Sequence, residues 1–368
     1  MQADEEGFLY PQVDATICID CGLCEKVCPV INQNDIRKPN CVFAAINMDD
    51  NVRARSSSGG LFSLLAERII LHGGVVFGAR FDEDWQVVIS SAETISQIDV
   101  FRGSKYLQAR VGDSYLQCKQ YLDAGREVMY TGTPCQIAGL KRFLRKRYDN
   151  LVAVDFICHG VPSPEVWKRY LDDVVGSGTK TIRGINFRNK SIGWKRFSLA
   201  IDYCDEEQNK TLISPLDKNP YLRVFLSDII LRPSCYKCPA KEGKSFSDIT
   251  IADFWGVHNM VPSMDDDEGT SLCLVNTEKG KSVIPYEKMH HKSTSLDALR
   301  YNAAYYHSAK PNPRRKAFFE AFEKGDEDLH RIISYSLRPT PKQKLKQLLK
   351  YPVVEAVKLA KCFFSKDA

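Results

Sequence analysis

At 368 residues, 43% of them hydrophobic, the chain can bury one large core, or two ordinary domains with a small appendage. A formal charge of +5 is mild for this length; it argues against a nucleic-acid binder and permits contact with an acidic partner protein or a phosphorylated cofactor. No run of about 18 apolar residues suggests a membrane span, and the opening MQADEEGFLYPQ lacks the apolar core of a signal peptide, so the expected compartment is the cytoplasm.

Thirteen cysteines are the informative feature. In a reducing compartment, clustered cysteines hold metal or do chemistry more often than they form disulfides. Residues 1–40 carry the densest group: Cys18, Cys21, Cys24 and Cys28, spaced C-x2-C-x2-C-x3-C and followed by Pro29. This is the bacterial-ferredoxin run for a four-iron cluster, in which a tight loop folds thiolates around the cluster. Gly22 relieves crowding where the backbone passes the inorganic sulfides. The alternative is a zinc site, which usually wants two separated pairs. In two-cluster ferredoxins the fourth cysteine serves the other cluster, and the opening MQADEEGFLYP resembles the linker that joins two such runs. Cys41 is a weaker ligand candidate.

From about residue 52 to 310 the texture is α/β. RARSSSGG leads into LFSLLAERIILHGG, whose apolar positions Leu61, Leu64, Leu65 and Ile69 recur at helical spacing, with serines available to cap the start. VVFGARF reads as a strand, and a helix follows over roughly 112–124. EVMYT, QIAGLKRFLRKRY and LVAVDFI then form a strand–helix–strand unit, which implies parallel strands and a right-handed crossover. Ser163-Pro164-Glu165 opens another helix, to about Val175. Further strands are expected at 182–187, 197–203, 248–252 and 271–276, with a solvated loop near 264–269. Residues 311–368 are basic and read as helical.

The strand–helix–strand unit places Cys135, in TGTPCQ, and Cys158, in CHGVP, at one carboxyl edge of a sheet whose strands lie about 5 Å apart. Cys235-Tyr236-Lys237-Cys238 supplies a C-x2-C clip, so the four thiols are expected to hold a second cluster. The pair alone would also suit zinc or a redox dithiol. His159 is a candidate ligand or acid–base group, or simply a satisfied histidine.

The ordered segments CIDCGLCEKVCP, SSSGG, HGGVVFGA, RGSKYLQ, GTPCQIAGL, DFICHGVPSP, RPSCYKC and SDITIADFWG together resemble the coenzyme F-420 hydrogenase/dehydrogenase beta-subunit family, over about residues 8–310. Within that family, the bacterial polysaccharide-cluster-associated branch is nearest in character. The resemblance implies an FAD-binding domain with four-iron clusters, in which Cys135, Cys158, Cys235 and Cys238 correspond to cluster cysteines. It implies segments 1–40 (ferredoxin-type), 52–130 (flavin-binding), 131–310 (second cluster) and 311–368 (tail). Two departures are the single cysteine run and Ala252, where many relatives have glycine.

No G-x-G-x-x-G follows a strand and opens a helix. The phosphate candidates are instead Ser57, Ser58, Gly59 and Gly60 at a helix start, against plain helix capping, and Ser104 with Lys105 in RGSKY, against an exposed turn. Lys105 is a candidate to stabilise an anionic reduced ring. Thr131 and Thr133 offer hydroxyls to the ring edge, and Trp194 and Trp255 are candidates to stack on it or to fill the core. The expected activity is electron transfer between a ferredoxin or partner protein, the clusters and FAD, with hydride exchange to a small acceptor: the deazaflavin or another molecule, in polysaccharide biosynthesis. The rivals are a non-catalytic relay subunit and a structural zinc protein. The tail is a candidate for peripheral membrane or partner contact, or a surface helix packed on its own domain. RFLRKRY at 142–148 is a solvated helix face or a receiver for an acidic ferredoxin.

Overall fold

The structure, a computed structural model, describes residues 1–176, 181–325 and 328–339. Its strands are β1 (Gln2–Ala3), β2 (Leu9–Tyr10), β3 (Cys41–Asn47), β4 (Val75–Phe81), β5 (Val87–Ala92), β6 (Val128–Gly132), β7 (Leu151–Phe156), β8 (Thr181–Asn189), β9 (Ser198–Asp205), β10 (Gln208–Pro215), β11 (Ile249–Asp253), β12 (Ser271–Val275) and β13 (Met289–Thr294). Eight of them form one mixed sheet in the order β13-β3-β12-β11-β7-β6-β4-β5. Its centre, β4-β6-β7-β11, is parallel, and antiparallel strands flank it on both sides. The α/β class is as the sequence implies.

The central strands are apolar throughout because both faces are covered. Met129, Val152 and Val154 pack under the helix Leu61–Leu71, while Val128, Tyr130 and Ala153 face the helices Ser114–Asp123 and Pro134–Leu144. The second helix stops at Leu144 because Arg145 turns left-handed, so the basic residues 145–147 leave it as an exposed turn. The sheet unites distant sequence: β3 pairs with β12 and β13, and β4 with β6.

A second core, rich in aromatics, gathers Trp167, Tyr170, Phe187, Tyr221 and Phe225 around the antiparallel β10-β9-β8 sheet. The helices Arg315–Lys324 and Leu329–Ser336 close it with Phe318, Phe319, Phe322, Ile332 and Ile333. These are the described helices of the basic tail; residues 340–368, and with them the proposed membrane contact, lie outside the described residues. Among the described residues no helix is long and apolar enough to cross a membrane.

The opening segment is no free linker. Phe8 is fully buried in the aromatic core, Glu6 pairs with Arg315, and Ser163 Oγ donates to Glu6 O at 2.5 Å. Gly7 (φ +84°) makes this close approach possible, since a Cβ there would lie 2.4 Å from Glu165 Cβ.

Candidate active site

The site begins at the carboxyl edge of β6 and β7. Gly132 pairs with Asp155, and Cys135 and Cys158 each follow three residues later, so the two thiols leave neighbouring strands side by side. Thr133 builds the first turn: its Oγ1 accepts from Gln136 N at 3.4 Å, Gln136 Oε1 accepts from Thr133 N at 2.9 Å, and Oγ1 lies 3.1 Å from Cys135 Sγ. Beyond β7, residues 161–163 zip against 230–232: Arg232 N donates to Val161 O at 2.9 Å and Ser163 N to Ile230 O at 3.0 Å. That zipper sets the short helix Pro233–Lys237, with Cys235 and Cys238, beside Cys158. Lys241 Nζ fastens the same turn by donating to Cys158 O at 2.6 Å and Ala304 O at 2.7 Å.

Cys135, Cys158, Cys235 and Cys238 line one cavity, with Cys135 opening onto it and the other three half-buried in its wall. Desolvation pushes the Cys158 and Cys135 thiols up and Cys235 to about 11, and across the four every pair interacts so that one thiolate opposes the next. Arg232 and Lys241 offset this only in part. A recessed set of mutually opposed thiols ionises when a cationic metal centre supplies the compensating charge, so the donor chemistry fits an iron–sulfur cluster. Among the described residues no three His, Cys, Asp or Glu side chains converge as tightly as a single ion requires. A polynuclear cluster instead gives each thiolate its own iron.

A polar knot underlies this edge. The buried Asp155 carboxylate accepts from Ser245 Oγ at 2.5 Å, Ser247 Oγ at 2.9 Å and Thr250 Oγ1 at 2.5 Å, tying the Cys158 strand to the segment after Cys238. Burial nonetheless pushes its pKa up to about 6.

The N-terminal cysteines are built differently. Cys18, Cys21 and Cys24 are exposed and Cys28 half-buried, around the single turn Leu23–Lys26 entered by Gly22 at φ +64°. Asn32 Nδ2 braces the run through Glu25 O (2.7 Å) and Cys28 O (3.3 Å). Asn34 Nδ2 donates to Lys244 O (2.8 Å) and Arg37 N to Glu242 O (3.1 Å), so the run is moored on the loop just beyond Cys238. Cys41 is separate from it, opening β3.

The cavity, about 1190 Å³, extends from the thiol quartet to Ser57, Ser58, Gly60 and Ser104. The serines do not cap the helix Leu61–Leu71, contrary to the capping expectation. Ser56 Oγ donates to Val52 O, Ser58 Oγ donates to Thr270 O, and Ser57 Oγ accepts from Ser104 N at 2.7 Å. The helix thus keeps first-turn N–H groups without a side-chain cap at the cavity wall. Gly59 stands apart: its N–H goes to Ser271 Oγ, and a Cβ there would lie 2.3 Å from Ala45 O, so it serves strand packing. Lys105 Nζ donates to the carbonyls of Val100, Phe101, Arg102 and Gly103. Burial pushes it down to about 7, and the four carbonyl dipoles act in the opposite sense.

Thr131 Oγ1 is buried at the wall without a hydrogen-bond partner, whereas Thr133 is spent on its cap. Trp194 and Trp255 stack on each other (5.0 Å, 8°), and only Trp255 reaches the cavity. His159 Nε2 lies 2.6 Å from Asp228 Oδ1, a partnered imidazole in the same wall.

The residue missed in the sequence is Arg188, on β8. Its guanidinium is 2% exposed, 3.9 Å over the Phe197 ring and 3.2 Å from Asp253 Oδ1, and its Nε is buried without a partner. An arginine in an antiparallel strand carries no motif; only the packing of β8 against the Ser57 loop brings it to the cavity.

A family model for the C-terminal part of the coenzyme F420 hydrogenase/dehydrogenase beta subunit matches residues 125–295, and a 4Fe-4S binding domain matches residues 11–30, which include the N-terminal cysteine run. No curated protein matches. Among solved structures, a chain of the xenon-derivatised F420-reducing NiFe hydrogenase complex from Methanosarcina barkeri has a similar fold, with a TM-score of 0.50 at 18% identity, over 73% of this chain and 88% of that one. At that identity the likeness concerns fold alone. The chain is therefore an iron–sulfur protein of oxidoreductase type, related to the coenzyme F420 hydrogenase/dehydrogenase beta-subunit family through residues 125–295, with a 4Fe-4S binding segment near its N-terminal end.

Proposed function

We propose that this chain is an iron–sulfur flavoprotein oxidoreductase of the reducing cytoplasm, moving electrons between a protein donor, two four-iron clusters and FAD, and exchanging hydride with a small acceptor. The observation that carries the reading is the single cavity joining a recessed thiol quartet to an uncapped helix start with orphaned polar groups. When bound, clusters supply one-electron steps and a flavin couples them to two-electron chemistry.

In this reading Cys18, Cys21, Cys24 and Cys28 hold the outer cluster, and Cys135, Cys158, Cys235 and Cys238 the inner one. The first N–H groups of the helix Leu61–Leu71, with Ser57, Ser58, Gly60 and Ser104, receive the pyrophosphate. Gly59 keeps β3 and β12 at the spacing that presents this loop. Arg188, paired with Asp253, offers its unpartnered Nε at the wall, and Thr131 offers its unpaired hydroxyl to the ring edge. Lys105 rigidifies its own loop, and its ammonium, held by four carbonyls, would place positive charge where it stabilises an anionic reduced ring. His159, whose Nε2–H donates to Asp228 Oδ1, would exchange a proton with the acceptor through Nδ1. The acceptor is the deazaflavin or a precursor in polysaccharide biosynthesis.

Anaerobic purification tests this directly. The expected yield is on the order of eight iron, eight acid-labile sulfide and one FAD per chain, with visible absorbance bleached by dithionite. Zinc alone, or clusters without flavin, overturns it.

A further inference from the structure

The surface around the N-terminal cysteine run is unlike the rest of the molecule. Val13, Ile17, Ile19, Val30, Ile31 and Ile36 lie exposed within one short stretch, Ile17 at 77% and Ile19 at 84%. Isolated exposed apolar residues are ordinary, but a group of them concentrated about redox cysteines marks a contact surface. Beside it runs a basic shelf. Asn34 accepts from Arg142 Nη2 at 3.0 Å, Arg37 lies over the Phe246 ring at 5.4 Å, and Lys141 donates to Phe246 O. The exposed turn after the helix adds Arg145 and Arg147, and Lys38 and Lys244 stand on the mooring segments. Among the described residues, Arg37, Lys38, Arg145, Arg147 and Lys244 form no ion pair, while Lys146 is held by Asp123. The run itself carries Asp14, Asp20, Glu25 and Asp35 against Lys26, so the positive charge lies on the shelf beside the run and not on the run.

We infer that this face docks an acidic single-electron carrier protein, one whose redox centre lies in an apolar patch rimmed by carboxylates. The inference rests on the electron-relay reading above and gives it a partner. Transient interfaces combine an apolar centre with a polar rim, and opposite charge at the rim speeds encounter and sets orientation. A second copy paired about a two-fold axis through the shelf would set like charge against like, which disfavours that arrangement. The placement also suits onward transfer: the helix Pro134–Leu144 carries Cys135 in its first turn and Arg142 in its last, and the mooring loop follows Cys238.

The test is titration of the full-length protein with a gallium-substituted acidic ferredoxin, which binds without transferring electrons. Wild type should bind at about 20 mM salt and weaken as salt screens the rim. The combined variant R37E/K38E/R145E/R147E should bind at least about tenfold more weakly and lose most of its salt dependence. The matching glutamine set should fall between, and reduction by methyl viologen should be unchanged in all three. Equal affinity across the set, binding that strengthens with salt, or self-association abolished by the same substitutions overturns the docking surface. If metal and flavin are absent but binding follows charge as stated, the relay reading falls and the surface stands.

Discussion

The two sets of four cysteines are made by opposite means. The N-terminal set is local: four thiols within eleven residues, largely exposed, braced by Asn32 and moored at Asn34 and Arg37. The inner set is tertiary: Cys135 and Cys158 are aligned by the β6–β7 register, and Cys235 and Cys238 are carried to them by the 161–163/230–232 zipper. A local loop with few buried contacts depends on its metal for order, whereas the inner site is shaped by a sheet that folds for its own reasons. On the proposed function, the first is a structure made by its ligand and the second a ligand set made by its structure.

The largest effects should separate these two. Cys158→Ser should remove about half the iron and lower turnover more than 100-fold while far-ultraviolet circular dichroism and thermal midpoint hold, because the zipper and register do not need the cluster. Cys21→Ser should remove the other half and expose residues 13–31 to limited proteolysis. It should also abolish reduction by a protein donor, with dithionite still reducing the inner centre. If Cys158→Ser unfolds the domain and Cys21→Ser leaves its loop protected, the contrast is inverted.

This same contrast governs what the sequence reveals. The N-terminal run is legible from spacing alone. The inner set is legible because EVMYT and LVAVDFI are apolar enough to announce buried parallel strands, which fixes where the chain goes next. The strand β3 escapes notice although it is apolar, because it falls where the texture suggests a boundary; its partners β12 and β13 come from the far end of the chain. β13, MHHKST, reads as polar because it is an exposed sheet edge. The docked opening reads as a linker because one buried residue, Phe8, leaves no periodic signal. Arg188 and the Asp155 knot are unreadable, since each exists only through partners on remote segments.

Asp155 sharpens the claim that the inner site is built in advance. Burial raises its pKa from 3.8 to about 6, so the folded chain holds this proton more tightly than the unfolded chain. That contribution to stability is fully present below about pH 4 and is lost as pH rises through about 6, an upper bound of about 3 kcal/mol. Urea unfolding at pH 4.5 and 7 should show this slope in wild type and not in Asp155→Asn. An identical pH dependence in both proteins would mean the hydroxyl cage holds the carboxylate ionised throughout, and the knot would then be a plain hydrogen-bonded carboxylate.

The smallest effect concerns two threonines, one at the end of β6 and one capping the helix that follows. Thr133 Oγ1 accepts from the helix N–H of Gln136 and completes a capping box, so Thr133→Val should cost about 1 kcal/mol of stability. Thr131 Oγ1 is buried at the cavity wall with no partner, and the unliganded protein already bears that cost. Thr131→Val should therefore leave stability unchanged or raise it by up to about 1 kcal/mol, while weakening FAD binding roughly five- to tenfold. Thermal unfolding of the flavin-stripped protein and a fluorescence titration with FAD read the two quantities separately. If both variants lose stability and neither changes FAD affinity, the orphaned hydroxyl is a packing defect, and the cavity's polar wall was not shaped for a ligand.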